Sequence, residues 1–230
     1  MPDQLQLRGG TTSEHNSFTG AAREVTVDTT KKTLVVHDGS QAGGTPLMRE
    51  SGGGVNATIN SVNIGKGANS VAGNTALGEL ALDAAVTGGQ NTAVGSEALT
   101  DLTSGTQNTA VGAGSLIELT TGSENTAFGQ QALRNTTTAS NNTAIGRAAM
   151  NDNTTGANNT AVGQNALGDN TTADNNTAVG YQCLRLNSTG FQNTAVGNNT
   201  LDGNTTGNYN TALGSYALGD QTTGNNNTAV

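Results

Sequence analysis

Any chemistry in this chain must come from few side chains, because its 230 residues include two histidines, one cysteine and no tryptophan. His15 and His37 lie among the first fifty residues, which also hold Glu24, Asp28 and Asp38. Their spacing fits neither a hydrolytic constellation nor a zinc-ligand pattern. Cys183 has no second cysteine to pair with and no His or Cys neighbour to activate it. It stands where equivalent positions carry Ala, Ser or Thr, so it reads as a small buried residue. "GGGVN" (Gly52–Asn56) lacks the Lys-Ser/Thr ending of a phosphate-binding loop and reads as a joint.

The carboxylates form the one regular chemical pattern. Asp83, Asp101, Glu118, Asp152, Asp169, Asp202 and Asp220 recur at intervals of 17 or 18 residues, with two gaps of about twice that, which raises the question of calcium. A calcium-binding solenoid needs a G-G-x-G-x-D type period, and this chain has none. Polysaccharide cleavage needs two carboxyl groups held close together, whereas here they come about one per interval. They read as solvated turn carboxylates, and we expect no enzyme, no metal and no cofactor. Asn135, Asn153 and Asn170 open N-x-T triplets that are glycosylated only on a secretory route. "MPDQLQLRGGTTSEHNS" has no apolar core of a signal peptide, so these read as turn residues in a protein made in the cytoplasm of its host cell. No stretch approaches the roughly 20 apolar residues of a membrane span. The net charge is −8; residues 51–230 hold four basic and eleven acidic side chains, spread without a basic cluster. That distribution predicts neither nucleic-acid binding nor membrane insertion.

What positions these residues is a repeat. "NTAVG" starts at 91, 108, 159, 176 and 193, "NTALG" at 74 and 210, "NTAFG" at 125 and "NTAIG" at 142. Each start follows the last by 17 residues from Asn74 to Asn227, without insertion or deletion. Only 33% of residues are hydrophobic, against roughly 45–50% in ordinary domains, which speaks against a single large core. Only 11% are charged and there are two prolines, which speaks against disorder. One unit cannot bury its own apolar side chains, but stacked units can, so the chain is expected to be all-β: a small N-terminal β module followed by a β-solenoid or β-roll shaft.

The unit reads N-T-A-V-G-x-x-A-L-x-x-N-T-T-G-x-N, counted from its first Asn as place one. Thr at place two and Val at place four share one face of a strand, with Ala at place three on the other. Gly at place five ends the strand. The Ala-Leu segment fits either one helical turn or a second short strand, with the turn slightly preferred. "NTTG" is a turn either way. The expected shaft core is places four and nine: Val94, Leu99, Val111, Leu116, Phe128, Leu133, Ile145, Met150, Val162, Leu167, Val179, Leu184, Val196, Leu201, Leu213 and Leu218. In-register stacking would also align Asn at place one and Thr at place two into ladders. Nine full units at a strand spacing of about 4.8 Å give a rod of about 43 Å.

The divisions that follow are residues 1–50 as a β module, 51–58 as a Gly-rich joint, 59–73 as a divergent first coil, and 74–230 as nine units and a truncated tenth. Within the module, "LQLRGG" alternates as a short strand, and "EVTVD" and "TLVVHDG" flank "TTKK" as a hairpin. Its expected core is Leu5, Leu7, Val25, Val27, Leu34 and Val36. So small a set is marginal alone, and the module is expected to share core with copies of itself.

The opening L-Q-L-R, the E-V-T-V-D-x-x-K-K-T hairpin and V-V-H-D-G make Leu5–Glu50 resemble the N-terminal module of phage tail fibres related to the major tropism determinant, a module frequent in phages of cyanobacteria and marine bacteria. The N-T-A-[VI]-G arrays are similar to repeats of phage fibres and bacterial surface proteins, and "SVNIGKGANS" (Ser61–Ser70) is similar to head repeats of trimeric adhesins. The resemblance implies a homotrimeric, parallel structural protein of the virion, a tail fibre. Residues 1–50 would dock on tail or baseplate/nozzle proteins. A host receptor would be met by a C-terminal tip beyond the last repeat. The alternatives it leaves are a head or neck fibre of the virion and the head domain of a bacterial adhesin.

Overall fold

The computed structural model describes residues 62–230, and before them Ser13 and the strands β1 (Arg8–Gly10), β2 (Glu24–Asp28), β3 (Thr33–His37), β4 (Thr45–Pro46) and β5 (Ala57–Ile59). The chain divides into two compact units, Met1–Thr58 and Ile59–Val230.

In the first unit, β2 and β3 form the expected hairpin. Val25 stands opposite Val36 and Val27 opposite Leu34, the register the four-residue "TTKK" connection permits. Strand β1 adds in parallel to β2, with Arg8 opposite Thr26, and β4 adds antiparallel to β3, giving the order β1-β2-β3-β4. Val27 is half-buried.

In the second unit every repeat contributes one three- or four-residue strand, from β7 (Thr75–Gly78) through β8 (Thr92–Val94) and so on to β15 (Thr211–Leu213), with the shorter β16 (Thr228–Ala229) last. Each pairs in parallel with the strand one repeat away, and like meets like: Thr92 lies beside Thr109, Ala93 beside Ala110, Val94 beside Val111. The divergent segment does not continue this winding. Strand β6 (Val62–Gly65) runs antiparallel to β7, with Ile64 opposite Leu77. A reversed strand ends the parallel stack there, where no preceding repeat exists to continue it.

The rest of each coil is neither helix nor second strand. Places five to eleven are successive turns that take left-handed backbone at places seven and nine, as at Glu97 (φ 58°) and Leu99 (φ 53°). A third left-handed residue at place 17, such as Gln107 (φ 60°), leads into the next strand. Left-handed backbone costs a non-glycine residue roughly 1–2 kcal/mol, so a helix-like apolar spacing is being spent on a tighter bend. Hydrogen bonds between coils offset that cost around the whole perimeter. Leu99 N–H donates to Ser115 C=O at 3.1 Å and Thr103 N–H to Thr120 C=O at 2.9 Å, well outside the strands. Place five requires glycine: Gly112 has φ 136°, and a Cβ there would lie 2.4 Å from the carbonyl oxygen of Gly129.

The core is one side chain thick. Ala at place three, Ala at place eight and Leu or Met at place nine are buried completely, including Leu99, Leu116, Leu133, Met150, Leu167, Leu184 and Leu201; Leu218 is partly buried. Place four is a correction to the expected core. Phe128, Ile145 and Leu213 are exposed, and Val94, Val111, Val162, Val179 and Val196 are only partly covered. The strand alternates as expected, but with inside and outside exchanged.

The reason is the asparagine at place one. Asn142 Nδ2 donates to Gly156 C=O at 2.8 Å, across the interior of its own coil. Its Oδ1 accepts the backbone N–H of Asn159 in the next coil at 2.9 Å. The same pair of bonds recurs from coil to coil, for example at Asn91 and Asn193. With Asn turned inward, a period of two turns Ala at place three inward and Thr and Val outward. A second amide ladder begins at place 12, where Leu102 and Leu119 give way to Thr136 and then to Asn from Asn153. Asn170 Nδ2 donates to Asn153 Oδ1 at 2.7 Å, and Asn204 Nδ2 to Asn187 Oδ1 at 2.8 Å.

Two substitutions test this division of labour. Asn142→Ala leaves the buried Asn159 N–H without a partner and Gly156 C=O with Asn153 Nδ2 as its remaining donor, and should cost about 1–3 kcal/mol in urea unfolding. Leu133→Ala opens a hole in a core with no second layer and should cost about 2–5 kcal/mol. A loss below about 1 kcal/mol at Asn142 would mean the ladder is not what holds the coils.

Candidate functional site

The carboxylates at places ten and eleven lie outside the strand, and Asp152, Asp169 and Asp202 are engaged by protein groups. Asp152 Oδ1 accepts from Asn135 Nδ2 at 2.9 Å and from Asn151 Nδ2 at 2.7 Å. Arg185 reaches the carboxylates of both neighbouring coils, Asp202 at 3.1 Å and Asp169 at 3.6 Å. Burial raises the Asp169 pKa, the Arg185 guanidinium lowers it in part, and Asp152 and Asp202 add to the rise. Asn151, Asp152, Asp169, Gln182 and Arg185 line a shallow groove here. Among the described residues, no three His, Cys, Asp or Glu side chains gather in a way that could hold a metal ion. The row acts as a brace between turns, with the arginine spanning three coils.

Cys183 at place eight is buried, and its Sγ donates to Ala195 C=O at 3.2 Å. Burial pushes its thiol up to about 12, against a partial opposing effect of a backbone hydrogen bond at Val179. At neutral pH it is therefore a neutral thiol without nucleophilic character. Of the two histidines, His37 ends β3 opposite Glu24, and His15 falls outside the described residues. So do Leu5 and Leu7, while Val25, Leu34 and Val36 are placed by backbone register alone.

The surface feature that sequence reasoning missed is the outward strand face. Places two and four form parallel rows, Thr beside Thr and aliphatic or aromatic beside aliphatic, along the whole stack. Leu77, Phe128, Ile145 and Leu213 are 42%, 56%, 41% and 50% exposed. Four of the chain's six aromatic residues flank this strand in the last coils: Tyr181 and Tyr216 at places six and seven, Phe191 and Tyr209 at places 16 and 17. Phe191 and Tyr209 meet edge to face, with ring centroids 5.3 Å apart. The signal was present in the parity of the unit, because an inward Asn at place one excludes an inward Val at place four.

Comparison with known proteins bears on the N-terminal part. Residues 5–41 match the family described as major tropism determinant N-terminal domain. A 49-residue stretch is 65% identical to the tail fiber receptor-binding protein of Bordetella phage BPP-1, covering 21% of this chain and 13% of that one. The chain thus matches only a small part of that relative's length. Two solved structures are also similar, the M1 and U1 variants of the major tropism determinant. Their identities are 39% and 47% over 26% and 27% of this chain and 21% and 20% of theirs, with TM-scores of 0.18 and 0.19.

Proposed function

We propose that this protein is a structural component of a phage tail fibre, a homotrimer anchored to the tail by residues 1–50 and extended by the 17-residue coils. The observation that carries the reading is the 65% identity over 49 residues to a phage tail fiber receptor-binding protein, supported by the family match over residues 5–41. The repeat zone supplies what a fibre needs beyond an anchor. Its coils bond to one another around their perimeter, Asp152, Asp169, Asp174 and Asp202 bridge neighbouring coils, and its single thiol is buried. The shaft holds a C-terminal receptor-binding tip at a set distance from the tail. Several such fibres per particle turn weak receptor contacts into lasting attachment by raising the effective concentration of each further contact.

Immunogold electron microscopy tests the placement, using purified particles and an antibody against residues 74–226. Gold is expected along the tail appendages, and particles made with a chain lacking residues 1–50 should carry none. Gold on capsid or neck would reassign the fibre, and gold on no particle would overturn the virion reading.

A further inference from the structure

The outward strand face is built as a seam between copies of this chain. Its apolar row starts at Ile64, opposite Leu77, and passes through Phe128, Ile145 and Val162 to Leu213, one residue per coil. From Asn74 onward every charged side chain falls at places 6, 7, 10, 11, 16 or 17 of its unit. Places one to five carry none in any coil, although this region has a strongly acidic balance. The result is an uncharged strip rimmed on both edges by polar and charged turns, the anatomy of a protein–protein contact. Its length of about 45 Å and width of one short strand give on the order of 500 Å², in the upper range of apolar patches that single chains leave open.

We propose that this strip, the Thr-x-Val face of β7–β15, is the surface through which parallel copies of the chain pack in register along the shaft. The occupant follows from the spacing. A partner that covers every rung must present apolar groups at the same rise per coil over nine coils, and a copy of this chain does so by construction. The absence of charge on the strip lets two acidic chains meet there without like charges facing each other, so no basic partner is needed. Shifting a copy by one coil would leave an end rung of each chain uncovered, so equal levels cover the most of the strip. The inference takes the number of copies from the homotrimeric fibre proposed above and adds the surface by which they join.

Cross-linking distinguishes the surface from the copy number. In a Cys183→Ala background, Ile145→Cys places a thiol on the strip and Thr155→Cys places one on an exposed turn away from it. Light scattering of the 230-residue chain is expected to show a multimer. Mild oxidation should then link Ile145→Cys chains at least tenfold more than Thr155→Cys chains. A multimer without linkage at 145 would overturn the seam and leave the trimer standing; a single-chain mass would overturn both. The double variant Ile145→Asp/Val162→Asp should fall to single-chain mass while keeping its far-ultraviolet circular dichroism. A folded double variant that remains multimeric would also overturn the seam.

Discussion

Everything in the shaft depends on the amide of the asparagine that opens each unit. A backbone coil of 17 residues with one short strand leaves many N–H and C=O groups facing an interior too thin to hold water. The Asn side chain answers both needs at once, accepting the next coil's N–H through Oδ1 and donating through Nδ2 to a carbonyl 14 residues on. An aliphatic residue at that place could fill the volume but would strand two polar groups, each worth a desolvation penalty of about 1–3 kcal/mol. The low hydrophobic content of the chain follows from this arrangement. Amide ladders and hydroxyl ladders, such as Thr120 Oγ1 on Thr137 C=O, supply cohesion that larger domains draw from apolar burial.

The ladder also explains which features were legible beforehand. The period, the stacking, the β character and the hairpin register of β2 and β3 follow from patterns that act locally: alternation, turn residues and a fixed repeat length. Two things did not follow. Hydropathy placed Val and Phe at place four inside, because a scale that ranks side chains one by one cannot see that an Asn three places earlier has already claimed the interior. The Ala-Leu segment fits either one turn of helix, slightly preferred, or a second short strand, because its apolar spacing suits both. Its residues instead alternate into left-handed backbone, since Leu99 or Leu133 can reach the core only from a bend that sharp. Glutamate, glutamine, asparagine and alanine all occur at place seven in that conformation, so no single residue type betrays it.

The exchange of inside and outside changes what the repeat is for. With Val inside, Thr at place two would be inside with it, and the outer face would carry the asparagine and alanine of places one and three. With Ala inside, each strand keeps its smaller apolar residue for the core and turns its larger one outward, while the large core residues come from place nine. A lone solenoid has no use for an exposed Phe128 flanked by aliphatic rows, and natural sheets avoid long apolar faces open to water. The same five letters therefore do two things: Asn and Ala join coil to coil, and Thr and Val form an uncharged outer face.

This double duty accounts for the strictness of the ruler. An inserted residue in a globular enzyme loop disturbs one turn. Here it would move the amides at place one, the glycine at place five, the hydroxyls at place 13 and the acceptors at place 16 out of phase with the adjoining coils at once. Ser140 Oγ accepting from Ser123 N–H and Asp174 Oδ1 accepting from Ala157 N–H show that even the variable corner is bound coil to coil. Only a change of 17 residues restores every ladder. A shaft of this kind can lengthen or shorten by whole coils of about 4.8 Å, and by nothing smaller. Its length is thus held by the same hydrogen bonds that hold its fold.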